Sequence, residues 1–192
     1  EAEIGFALTS PILFLEEGER NVTMTITFED DSMQTYRKLL ANMVQKEQEK
    51  QNKTSEGDIF QKIFSESFDI QITGEFGWLS IDKYEVFTPK GTESTEIAIA
   101  FQLTTAEDAV VAYNEALHQN QIQTHWPMIK FGLKSGKATY SFMRDLIIEN
   151  INLKVKVNRL KNFDIFSDLG RLDASKLFQP FGSIPVQGSS LI

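Results

Sequence analysis

The chain has 192 residues, 41% of them hydrophobic and 11% aromatic, enough to bury a full core as one domain. Nineteen Lys and Arg against 27 Asp and Glu give a net charge of −8, which argues against nucleic acid and anionic membrane surfaces, since both require a basic face. The absence of Cys removes disulfides, thiolate zinc sites and cysteine nucleophiles together, and no stretch approaches the ~18 consecutive apolar residues of a membrane span.

In chain order, the N-terminus opens Glu1-Ala-Glu3, where a secretory signal would carry a basic region, and residues 4–15 are then largely apolar. Residues 21–28 alternate Val22, Met24, Ile26 and Phe28 with Thr23, Thr25 and Thr27, the pattern of a half-buried antiparallel strand. Asp31-Ser-Met-Gln34 reads as a capping box with Asp31 or Ser32 as N-cap, before Met33, Tyr36, Leu40, Met43 and Val44 at helical spacing. Beyond Gln45 the charged run 46–53 has no apolar face and is expected to be a solvated helix end or a loop. A second short helix is expected after Asp58, with Ile59, Phe60, Ile63 and Phe64 inward.

Phe68, Ile70 and Ile72 mark the next strand, and Thr73-Gly-Glu-Phe-Gly77 a turn into another, because glycine reaches positive φ without steric cost. Ile97, Ile99, Phe101 and Leu103 alternate with Ala98, Ala100 and Gln102, a strand whose second face is small enough to lie under another layer. A third helix is expected within 106–118, with Val110, Val111, Tyr113 and Leu117 as its stripe. Residues 126–133 read as a strand, and Lys134-Ser-Gly-Lys137 as the hairpin that follows it.

The strand over 146–157 breaks its own phase. Leu146 and Ile148 alternate, yet the apolar set resumes at Ile151, Leu153, Val155 and Val157, an odd step of three. Both halves can face the core only if one extra residue is inserted, which predicts a β-bulge at Glu149-Asn150. Asn152, Lys154, Lys156 and Asn158 would then face water, as suits an edge strand.

Together these elements predict a mainly β protein with minor α content: an antiparallel β-sandwich of about seven or eight strands decorated by two or three helices. The sandwich should occupy residues 1–162, with a helical insertion near 32–66. Residues 163–192 should form an extended segment that packs on the domain, with Phe178 and Phe181 inward, and leads toward a following domain.

Residues able to carry chemistry are few. His118 and His125 are seven apart, a spacing that matches neither the HExxH helix nor a common zinc pattern, and both are placed in a loop before the Trp126 strand. No G-x-S-x-G elbow and no Walker loop occurs. The pairs Glu16-Glu17 and Asp30-Asp31 point to opposite faces if extended, so a shared site would need a turn, and Asp30-Asp31 is better read as turn and cap. No catalytic residue, metal ligand or cofactor site is therefore assigned, and the chain is expected to be non-enzymatic. Trp78 and Trp126, with Phe76, Tyr84 and Phe87 nearby in sequence, read first as core residues; the alternative is a platform that stacks on sugar rings.

The run Ile4-Gly-Phe-Ala-Leu-Thr-Ser-Pro-Ile-Leu-Phe-Leu-Glu-Glu-Gly-Glu-Arg20, the turn Thr73-Gly-Glu-Phe-Gly-Trp78, His125-Trp-Pro127, Asp168-Leu-Gly170 and Phe178-Gln-Pro-Phe-Gly182 together resemble an internal region of large baseplate components. These belong to contractile phage tails and phage-tail-like contractile injection systems, of the baseplate J-like kind. The resemblance spans nearly the whole chain and carries no active site. It implies a structural module whose partners are other domains of the same large protein and neighbouring baseplate subunits, without nucleic acid or membrane insertion. It also implies a location in the bacterial cytoplasm during assembly, or within a phage or injection particle. The alternative is a carbohydrate- or ligand-binding sandwich module of a larger secreted or surface protein, with Trp78 and Trp126 as its platform.

Overall fold

Period-two alternation builds most of the molecule. The computed structural model describes residues 4–14, 17–50, 55–91, 94–119, 122–160, 163–167, 170–173 and 175–177. One antiparallel sheet takes β1 (Ile4–Thr9), β3 (Phe68–Gly74), β4 (Gly77–Ser80) and β7 (Met128–Leu133), in the order β1-β7-β3-β4. A second antiparallel sheet takes β2 (Glu19–Phe28), β5 (Glu85–Phe87), β6 (Glu96–Leu103) and β8 (Ile148–Asn158), in the order β5-β6-β2-β8. Val22, Met24, Ile26 and Phe28 of β2 join Ile70, Ile72, Ile129 and Phe131 of the other sheet in one buried cluster, so the two sheets share a sandwich core.

The irregular phase of β8 resolves as predicted. Thr27 faces Asn150 and Phe28 faces Ile148, which leaves Glu149 as the extra residue of a bulge. Beyond it Ile151, Leu153 and Val155 pack against the core while Lys154 and Lys156 stay exposed, and β8 ends its sheet as an edge strand. On the small face of β6, Ala98 is buried opposite Phe87 and Gln102 is exposed.

Helices α1 (Met33–Lys50) and α2 (Glu56–Phe64) lie between β2 and β3 in the chain. The predicted stripe of α1 is the one that packs: Met33, Tyr36, Leu40 and Val44 are buried, and Met43 is partly so. Its charged last turns stay helical and solvated, with Glu47 reaching Lys50 at 2.9 Å and Lys62 of α2 at 2.7 Å. The expected capping box is replaced by a turn, in which Ser32 Oγ donates to the Glu29 carbonyl at 2.8 Å and accepts from Ile147 N–H at 3.2 Å. Helix α2 starts before Asp58, because Ser55 Oγ accepts the Asp58 N–H at 3.1 Å and so caps it.

Three local expectations are corrected. Only α3 (Glu115–His118) is helical within 106–118; Val110 instead bridges Gly74 as β structure and Leu117 is 45% exposed. The backbone of this stretch is held by the sheet, with Val111 N–H on the Thr73 carbonyl and Glu75 N–H on the Ala109 carbonyl, both at 3.2 Å. Strand β7 starts at Met128, two residues after Trp126, and Lys134-Ser-Gly-Lys137 turns into the short helix α4 (Tyr140–Met143) rather than closing a hairpin. The other expected turn forms: Gly74 and Gly77 pair across Glu75-Phe76, with Gly77 at φ +131 where a side chain would be strained.

The chain divides into two compact units, Glu1–Asn158 and Arg159–Ile192. In the second, where extended chain is expected, β9 (Ile165–Ser167) and β10 (Gly170–Leu172) form an antiparallel pair, and Arg171 is ion-paired with Asp164. Phe178 and Phe181 lie outside the described residues.

Candidate functional site

Trp78 sits outside the core. On β4 it alternates with Leu79, which packs against the buried cluster, so the indole stands on the opposite face of the sheet. There its Nε1–H donates to the His118 carbonyl at 2.8 Å, the two rings meet edge to face at 5.2 Å, and Lys130 Nζ lies 3.7 Å from the indole centroid. A cation so close to the ring occupies the surface on which a sugar would stack.

His118 is 1% exposed, and both of its ring nitrogens are engaged. Nδ1 accepts the Asn114 N–H at 2.9 Å, which leaves the proton on Nε2, 3.2 Å from the Gly74 carbonyl that receives it. The histidine thus pins α3 to the β3–β4 turn, with Tyr113 against its other side at 5.5 Å. His125 is exposed, in the bend just before β7.

Trp126 is 49% exposed, which corrects the expectation of a core residue; its backbone carbonyl accepts the Tyr113 N–H at 3.1 Å. The neighbouring aromatics do not join Trp78 and Trp126 in one platform. Phe76 stands at the tip of the β3–β4 turn, 79% exposed, Phe87 lies on β5 opposite Ala98, and Tyr84 turns inward to Phe68.

The carboxylates are also spread out. Asp30 pairs with Arg37 at 2.7 Å, and Glu16 lies outside the described residues. Among the described residues no three His, Asp or Glu side chains gather as metal ligands, and no helix is long and apolar enough to cross a membrane. Glu107 is held below the usual carboxylate range, chiefly by the Thr104 hydroxyl at 2.6 Å, a turn-stabilising contact.

A different feature combines enclosure with access. Between the terminal strands β1 and β8 the sandwich opens into a cleft of about 340 Å³, floored by Ile26, Ile99 and Phe131 and rimmed by Ile4 and Ile148. Among the described residues Arg144, just after α4, is the only lining residue with a polar side chain. Sequence reasoning assigned none of these residues to a site. The available signal was Leu146-Ile147-Ile148, three consecutive apolar residues where a half-buried strand should alternate; Ile147 and Ile148 are exposed by 56% and 38%. No protein-family model and no curated protein matches this chain, so its function is read from its own residues.

Proposed function

We propose that the chain is a non-enzymatic structural module of a multi-domain baseplate protein in a phage-tail-like contractile apparatus, where it joins other domains of that protein to neighbouring baseplate subunits. The observation that supports this reading most is β8, eleven residues long at the end of its sheet, with no strand beyond it among the described residues. An edge of that length is a template on which an extended segment of a neighbour can add a strand through main-chain hydrogen bonds. Lys154 and Lys156 on its exposed face oppose pairing with an identical copy and favour an acidic neighbour. Such a module acts in the bacterial cytoplasm during assembly and afterwards within the particle.

The test is an in-frame deletion of residues 1–158 from the parent reading frame, with particles scored by electron microscopy. The reading expects loss of complete baseplates; normal particles in normal number would overturn it. Half-exposed Trp126 keeps the glycan-binding alternative in view, and intrinsic fluorescence decides it. A saturable shift with soluble glycans would displace the structural reading, whereas unchanged emission removes the alternative.

A further inference from the structure

We propose that the cleft between β1 and β8 binds the alkyl chain of a hydrophobic carboxylate, with the Arg144 guanidinium meeting the head group at the mouth. The cleft opens beside the β8 edge, with Ile148 on its rim, but binding of a small ligand is read on the isolated chain and does not rest on the assembly role.

The chemistry of the walls fixes the part of the ligand that enters. Ile26, Ile99 and Phe131, at the floor, are 4%, 1% and 3% exposed, and among the described residues of the lining only Arg144 carries a polar side chain. Ordered water needs about two to four polar partners, so this space favours an apolar guest. A hydroxyl or amide carried inside would lose its hydrogen bonds to water and meet no polar side chain among the described residues of the walls, so an apolar chain is the better guest. The volume of about 340 Å³ lies at the lower end of the range for small-molecule sites, roughly 300–1,000 Å³. Packed sheets stand about 10 Å apart, one interdigitated layer of side chains, which suits the cross-section of a single unbranched chain better than that of a fused ring system.

The mouth fixes the head group. Ile4 and Ile148 are 40% and 38% exposed, so the chain has an apolar entrance. Arg144 is exposed beside it, and its Nε lies 3.5 Å from Asp145 Oδ2, a long contact between two solvated groups. A carboxylate at the rim can take the planar fork of the guanidinium in a shorter, bidentate pair.

The experiment is calorimetric titration of the intact chain with hexanoate, octanoate, decanoate and dodecanoate, each below its micellar concentration, with decanol and decyltrimethylammonium as comparators. Affinity is expected to rise about fourfold per added methylene until the chain outgrows the cleft, and then to level off. Decanoate should bind more tightly than the ammonium. Arg144→Glu should weaken decanoate by roughly tenfold or more while leaving decanol unchanged. Leu146→Trp, which places a large ring in the cleft wall, should abolish binding of all three. If that variant fails to fold, Arg144→Glu at its exposed position still carries the test. No saturable binding of any alkyl carboxylate overturns the proposal. So does affinity that climbs without levelling and ignores Arg144→Glu, the behaviour of unspecific surfactant adsorption, or equal affinity for the ammonium.

Discussion

The Tyr84 hydroxyl holds Phe68 by both of its backbone groups, accepting the N–H at 2.8 Å and donating to the carbonyl at 3.2 Å. Their rings meet edge to face at 6.1 Å. Tyr84 lies in the crossing from β4 in one sheet to β5 in the other, so this grip ties the first residue of β3 to the connection between the sheets.

Tyr84→Phe keeps the ring and removes the hydroxyl. Two backbone groups in a partly buried setting lose their partner, and leaving such groups unmet costs about 1–3 kcal/mol. At this chain length the melting temperature should fall by roughly 2–4 °C per kcal/mol. Urea denaturation of the variant beside the parent measures it, and an unchanged midpoint would show that the pair contributes nothing.

The same substitution at Tyr36 should have the opposite sign. Its hydroxyl is buried without a hydrogen-bond partner among the described residues, in a nest formed by Phe64 at 6.4 Å and Phe142 at 5.6 Å. Tyr36→Phe leaves the packing intact and removes an unpaid desolvation, for a gain of about 1 kcal/mol. Burial pushes the hydroxyls of both tyrosines above their ordinary value of 10.0, so at high pH the folded state holds protons that the unfolded state has released. Below the ordinary value both states keep these protons and stability does not depend on them; above it the unfolded state is favoured by ionisation, and stability falls as pH rises. Alkaline unfolding should therefore be less steep in Tyr36→Phe than in the parent, and a parallel pH–stability curve would refute the assignment.

Strands β2, β3, β6 and β8 were legible because each carries a long alternating stripe that only one register can bury. Even the bulge showed itself, as the odd step between Ile148 and Ile151. The segment around Val110 was misread, because two adjacent valines, a tyrosine and a leucine fit a helical stripe as readily as a strand. Tertiary hydrogen bonds to Thr73 and Glu75 decided for the sheet. Trp126 was misplaced for a related reason: an aromatic beside an apolar strand was counted as part of it, although β7 starts only at Met128. The cleft depends on how far β1 stands from β8, two strands at opposite ends of the sequence, and no local pattern encodes that distance.

The bulge gives a deletion test of register. Removing Glu149 leaves Thr27 opposite Asn150 and Phe28 opposite Ile148, so every apolar residue of β8 keeps its face. Removing Lys154 shifts one part of the strand by one position, and either Val155 and Val157 or Ile151 and Leu153 must turn to solvent. The first deletion should move the melting temperature by only a few degrees, about 1 kcal/mol, while the second should cost several times more. Equal losses in a thermal melt would mean that Glu149 is not the inserted residue.

Thr73 links the sheet to the long connection before β7. Fully buried, its Oγ1 donates to the Val111 carbonyl at 2.7 Å and accepts the Met128 N–H at 3.1 Å. Thr73→Val preserves shape but leaves a carbonyl and an N–H unmet, for a loss of about 2 kcal/mol, and Thr73→Ser should recover most of it. The loss should also be local. Val111, Tyr113 and Trp126 belong to one backbone network, since Val111 N–H bonds the Thr73 carbonyl and Tyr113 N–H bonds the Trp126 carbonyl. Faster amide exchange at Val111, Tyr113 and Met128 in Thr73→Val, with β2 and β6 unchanged, is the expected pattern. Uniform acceleration across both sheets would instead mean that Thr73 supports the sandwich as a whole rather than anchoring this connection.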